Sequence, residues 1–304
     1  MKKELITHFI PKAPESEMFR NLRTNIQFMN TNKELRTLVI TSTMPGEGKS
    51  YVTANLAVTF AQAGKKVVLV DSDMRKGRQF SIFDISPRPG ISNYLSGVVE
   101  QDFRGDVDDI QNYIQDTDVE NLKVITAGSV PPNPSELLMS PKMNKMMNDL
   151  KEICDIIIFD APPALIVADA VILARQVDSC IIVTAHNQTK MDSVQKVKVA
   201  IENVGAKVAG VVINKIPASN KKYNQMYYYY GAMVSDGDSS KNQARIGFER
   251  CIKKIKASFE KAKGSRSKKY DGANRKHIQK KNNVIISNSS SSDIFDDIKY
   301  NIKK

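Results

Sequence analysis

The sequence predicts an α/β fold in three layers, a mostly parallel central sheet covered by helices on both faces, with a flexible C-terminal tail. Three observations carry this. Six short apolar runs recur at 37–41, 67–70, 122–125, 156–159, 179–184 and 207–213; helical patterns separate several of them; and the segment Met44-Pro45-Gly46-Glu47-Gly48-Lys49-Ser50 stands where the first run would turn into a helix. Strands buried on both faces read as continuous apolar runs, and parallel neighbours need a crossover between them.

The elements follow in chain order. Residues 15–29 predict a helix after Pro11 and Pro14, with Phe19, Leu22, Ile26 and Met29 on one face and Glu17, Arg20 and Arg23 in an i, i+3, i+6 row. The run 37–41 leads through the glycine-rich loop into a helix over 50–63, closed by Gly64. Further helices are predicted over 141–151 and 190–204. After Ile213 the character changes, and the chain divides into a globular domain over 1–217, a tyrosine cluster over 218–231 and a basic, largely disordered extension over 232–304.

Composition narrows the function classes. Of 304 residues 41% are apolar, and no run of 18 apolar residues or signal-like N-terminal segment occurs, so the expectation is a cytoplasmic chain without its own membrane anchor. The net charge of +12 is concentrated: residues 231–304 carry 18 Lys and Arg against 8 Asp and Glu, a balance of +10, and residues 1–230 carry 27 against 25, only +2. The basicity therefore describes a tail and carries no strong signal about the partner of the body, and no nucleic acid is expected. Cys154, Cys180 and Cys251 lack ligand-like spacing and read as reduced thiols.

The glycine-rich loop is a phosphate cradle. Pro45, Gly46, Glu47, Gly48, Lys49, Ser50 and Tyr51 bring backbone N–H groups, a lysine for the outer phosphates and a serine hydroxyl for Mg²⁺, which points to ATP. The runs at 67–70 and 156–159 end in Asp71-Ser72-Asp73-Met74-Arg75 and in Asp160-Ala161-Pro162-Pro163, and parallel strands would deliver these groups to the mouth of the loop. Catalysis is assigned to Lys49, Asp71, Asp73 and Asp160; metal contacts to Ser50, Asp71 and Asp160; and the base that activates an attacking hydroxyl to Asp71 or Asp73, preferably Asp71. Arg75 is a candidate for steadying phosphate charge and Asn214 for reaching the nucleotide base, though a simple polar strand end fits Asn214 as well. Tyr227, Tyr228, Tyr229 and Tyr230 follow one another, so they cannot share one packed face; phosphorylation would place several dianions in a short segment. Tyr94 and Tyr113 are expected to be buried, and Tyr270 and Tyr300 are weaker acceptors.

Together these landmarks resemble the cytoplasmic CpsD/CapB type of bacterial tyrosine kinases, over about residues 12–231. Pro45 to Ser50 look like the family's Walker A, Val70 to Arg75 like its Walker A′, Ile158 to Pro163 like its Walker B, and Ser129 to Leu137 like a further family segment. The resemblance implies a P-loop NTPase fold of the SIMIBI, MinD-like kind and phosphorylation in trans on Tyr227 to Tyr230. It also implies a ring of subunits packed through Glu17, Arg20 and Arg23, and a membrane chain-length regulator whose cytoplasmic segment activates the kinase during capsule or exopolysaccharide synthesis.

Family members of this type usually finish soon after the tyrosine cluster, whereas about 70 residues follow Gly231 here. That extension, with Phe248, Ile252, Ile255 and Phe259 spaced on one side of a basic segment, is either a peripheral contact for an anionic membrane or a solvated tail. Two rival functions share the motifs. A ParA/MinD-like ATPase would carry a signature lysine where Met44 stands, and a noncatalytic ATP-binding scaffold would not need Lys49, Ser50, Asp71, Asp73 and Asp160 intact.

Overall fold

A computed structural model describes residues 4–29, 34–217 and the backbone of 285–287. The central sheet is built from β1 (Thr37–Ser42), β2 (Val67–Asp71), β3 (Gln115–Asp116), β4 (Leu122–Ile125), β5 (Ile156–Asp160), β6 (Ser179–Ala185), β7 (Val208–Asn214) and β8 (Ile285–Ser287). Among the described residues the strand order is β3-β4-β2-β5-β1-β6-β7-β8, parallel from β4 through β7 and antiparallel at both edges. Every residue of β1, β2, β5 and β6 is buried, as continuous apolar runs require when both faces are covered.

The helices are α1 (Ile6–Phe9), α2 (Pro14–Met29), α3 (Lys49–Gln62), α4 (Gln79–Phe83), α5 (Ile91–Ser96), α6 (Pro134–Leu138), α7 (Pro141–Ile153), α8 (Asp169–Gln176) and α9 (Met191–Asn203). The central helix α3 is buried almost throughout, because small residues such as Ala54, Ala57 and Ala61 let it lie close to its neighbours. α2 packs beside it through Phe19, Leu22 and Ile26. α7 starts where the Ser140 hydroxyl accepts the Met143 N–H and Pro141 occupies the first turn, and it buries Met143, Met146, Met147 and Leu150.

The six predicted strands and four predicted helices are all present, with ends moved by one or two residues. The short elements α1, α4, α5 and α6, the edge strand β3 and the eight-residue α8 are additions, as is β8. Tyr94 and Tyr113 are buried as expected, forming an edge-on ring pair 5.3 Å apart. No helix among the described residues is long and apolar enough to cross a membrane.

Candidate active site

β1 runs between β5 and β6, and β5 runs between β1 and β2, so the loop after β1 and the carboxylates ending β2 and β5 emerge on one edge. Thr43 to Gly48 form that loop. The first backbone bond of α3 is from the Val52 N–H to the Gly48 carbonyl at 3.0 Å, so the N–H groups of Lys49, Ser50 and Tyr51 precede the helical ladder and face an anion site. Gly48 has φ +93°, and a Cβ there would lie 2.1 Å from the Asn214 amide nitrogen. Only glycine fits this turn.

Glu47 holds the loop in shape. Its buried carboxylate accepts the Thr43 N–H at 2.7 Å, the Thr43 hydroxyl at 2.8 Å and the Met44 N–H at 2.9 Å, and it takes a further bond from the Thr189 hydroxyl after β6. The Glu47 side chain therefore turns into the loop itself, and its backbone is what it offers to the cradle. Asn214 acts from the other side: its amide nitrogen donates to the Glu47 carbonyl at 3.0 Å, its amide oxygen accepts the Lys215 N–H at 2.8 Å, and it is fully buried. An amide so engaged braces the loop, as a polar strand end would. Replacing Glu47 by alanine is expected to weaken ADP binding about tenfold by freeing the loop, as a titration with fluorescent ADP would register. Asn214→Ala is expected to lower stability by about 1–2 kcal/mol and to leave the ATP-over-GTP preference unchanged in competition binding.

Lys49 reaches across the mouth. Its Nζ lies 3.0 Å from Asp73 Oδ2, 3.5 Å from Asp160 Oδ1 and 3.3 Å from the Ser50 hydroxyl. Burial alone would lower the lysine pKa, but the carboxylates of Asp160, Asp73 and Asp71 outweigh it and push the ammonium well above its ordinary value. Asp71 and Asp160 are register partners on adjacent strands and both fully buried. Burial, then the Asp160 charge, pushes the Asp71 carboxyl up to about 7. Two crowded carboxylates with one ammonium beside Asp160 form a site that favours another cation.

The structure thus gathers Lys49, Ser50, Asp71, Asp73 and Asp160. Three other predicted residues point elsewhere. The Tyr51 ring packs edge-on against Phe19 at 5.9 Å, and burial followed by Glu15 and Glu4 drives its phenol upward, so its cradle contribution is its backbone N–H. Arg75 lies half-exposed with Nη2 3.5 Å from the buried Asp169 carboxylate of α8, which also accepts the Ser135 hydroxyl. On α2, Glu17 and Arg20 form an exposed ion pair, but Arg23 turns inward and donates to the Thr59 carbonyl of α3 at 2.7 Å. Tyr227 to Tyr230 lie outside the described residues.

One residue of the site had no sequence signal. Gln79 is fully buried at the start of α4, with its backbone N–H 2.9 Å from Asp71 Oδ2 and its side-chain nitrogen 2.8 Å from Asp160 Oδ2. Neither periodicity nor motif marks it.

Residues 35–212 match the AAA domain family. Over 227 residues the chain is 42% identical to the putative tyrosine-protein kinase CapB of Staphylococcus aureus, covering 75% of this chain and 95% of that protein. The chain belongs to the bacterial tyrosine-protein kinase family. The kinase is also 36% identical to tyrosine-protein kinase YwqD of Bacillus subtilis, over 76% of this chain and 92% of that one. Among solved structures it is similar to the chimerical protein CapA2B2, with a TM-score of 0.65, 39% identity and coverage of 70% of this chain and 90% of that chain. Cell division ATPase MinD of Pyrococcus furiosus shares the fold alone, at a TM-score of 0.50 and 23% identity, covering 64% of the kinase and 79% of that chain. The expected P-loop α/β fold is therefore present, and the ATPase reading rests on a likeness of fold only. The kinase belongs among nucleotide-binding P-loop proteins.

Proposed function

We propose that the chain transfers the γ-phosphate of ATP to tyrosines of its own tail, Tyr227 to Tyr230, in another copy of itself. The observation that carries this is the convergence of the Lys49 loop with the Asp71 and Asp160 pair on one strand edge. In this reading the backbone N–H groups from Gly46 to Tyr51 orient the phosphates and Lys49 holds the outer phosphate charge. Asp71, at the end of its strand beside Asp160, is the preferred acceptor of the phenol proton; Asp73, tied to Lys49, is the second candidate.

Ser50, Asp71 and Asp160 would hold Mg²⁺. Among the described residues no group of three or more His, Cys, Asp or Glu is arranged as a metal cage, and the crowded Asp71 and Asp160 suit a cation whose remaining ligands are phosphate and water. When bound there, Mg²⁺ supplies charge neutralisation of the transferring phosphate.

Targets other than the core's own tyrosines fit the chain. Of its ten tyrosines, Tyr51, Tyr94 and Tyr113 are packed, and the other seven fall from Tyr223 onward. Glu17 and Arg20 are offered to a neighbouring subunit of a ring, with Arg23 supporting α2 from within. Resemblance to the CapB and CpsD kinases suggests the pathway: capsule or exopolysaccharide synthesis, with activation by a membrane chain-length regulator at the inner face of the membrane. The basic residues 232–304 would add a peripheral contact with anionic lipid.

Phosphate mapping by mass spectrometry after incubation with Mg·ATP and the partner's cytoplasmic segment tests the reading. Label is expected on Tyr227 to Tyr230, and label transferred from active chain to a Lys49→Met copy establishes reaction in trans. Release of inorganic phosphate without labelled tyrosine would overturn it.

A further inference from the structure

Gln79 stands where the two strand-end carboxylates and the phosphate-loop helix meet. Its backbone N–H donates to Asp71 Oδ2 at 2.9 Å, and its side-chain nitrogen donates to Asp160 Oδ2 at 2.8 Å and to the Ser50 carbonyl at 3.2 Å. Both side-chain partners are acceptors, which fixes the amide with nitrogen toward them. Its oxygen is left buried with no hydrogen-bond partner. A residue held only for packing would not keep an unpaired amide oxygen in the interior at the cost this entails. The approach to it is shaped as well: a Cβ on Gly77 would meet the Ala127 Cβ at 2.4 Å and Asp71 Oδ2 at 2.8 Å, so a glycine lets the chain pass tightly over Asp71 and deliver Gln79 beyond it.

We propose that Gln79 is a positioning residue for metal binding, fixing the facing carboxylates of Asp71 and Asp160 and joining them to the backbone of Ser50. By occupying one oxygen of Asp160 it leaves Oδ1, the oxygen beside Lys49, as the one directed into the site. By holding Asp71 through its backbone and Asp160 through its side chain, it sets the separation of two like charges that would otherwise repel. This rests on the assignment of Asp160 and Asp71 to Mg²⁺.

The test is Gln79→Met, which keeps the side-chain length and the backbone N–H and removes the donor to Asp160. Fluorescent ADP is titrated against the full chain with and without Mg²⁺. In the variant, ADP affinity without metal is expected to stay within about threefold of wild type, while the enhancement by Mg²⁺ falls about tenfold and kcat falls about 10- to 100-fold. An Mg²⁺ enhancement equal to wild type would overturn the inference. A wild type whose ADP affinity ignores Mg²⁺ would overturn the metal assignment itself and the inference with it. Should Gln79→Met fail to fold, the wild-type Gln79 side-chain amide is followed by NMR: it is expected to shift when Mg²⁺ is added to the ADP complex, and a resonance that does not move overturns the proposal.

Discussion

Lys49→Met is expected to abolish tyrosine phosphorylation and also to cost the fold stability. Loss of the ammonium removes the group assigned to the outer phosphate, a change on the order of 10²- to 10³-fold or more in rate. It also strips the ammonium from Asp73 and Asp160, which lie 3.0 and 3.5 Å away, and from the adjoining Asp71. Breaking a buried ion pair from one side costs about 3–5 kcal/mol. Orphaned carboxylates escape part of that cost by taking up protons, so the loss is expected to be greater at pH 8 than at pH 5.5. Labelled ATP with mapped tyrosines checks the first effect, and urea unfolding at the two pH values checks the second. Activity retained in this variant would remove the catalytic reading.

Asp71→Asn is expected to separate function from stability in the opposite sense. The amide still accepts the Gln79 N–H, but it cannot take a phenol proton or neutralise a metal, so phosphotransfer falls to background. Stability should rise. The Asp71 carboxyl is pushed from its ordinary 3.8 up to about 7, so between these values the folded chain holds a proton that the unfolded chain has released. Stability of the metal-free wild type therefore declines as pH rises across that window, by roughly 2–4 kcal/mol in total. An asparagine carries no such slope. In EDTA, the advantage of Asp71→Asn should be small near pH 4 and largest at pH 8. Parallel stability curves for the two proteins would show that the carboxyl is not strained by its surroundings.

The central strands were legible because burial on both faces leaves unbroken apolar runs such as Ile156-Ile157-Ile158-Phe159, and the phosphate loop because glycines and a lysine at fixed spacing have few other uses. Strand order was not legible: parallel strands were expected to bring Asp71 and Asp160 to the loop, and it is the structure that makes them register partners on neighbouring strands. What escaped the reading depends on contacts distant in sequence. Gln79 matters through Asp160, 81 residues away, and Asn214 through the Glu47 carbonyl, 167 residues away, and no local pattern encodes either meeting. The side chains of Tyr51 and Arg23 likewise meet distant partners, the Phe19 ring and the Thr59 carbonyl. Short helices such as α1 and α4 fall below the length at which a 3.6-residue period can be recognised.

Packing of Tyr51, Tyr94 and Tyr113 within the described body has a wider consequence. A catalyst whose rigid part hides its own phenols is shielded from marking itself where a dianion would wedge apart the core. Under the proposed function, choice of target would pass from recognition to tethering, with whichever tyrosine-bearing strand is brought within reach being modified. Redirecting such an enzyme would call for a new leash, with the chemical machinery left untouched.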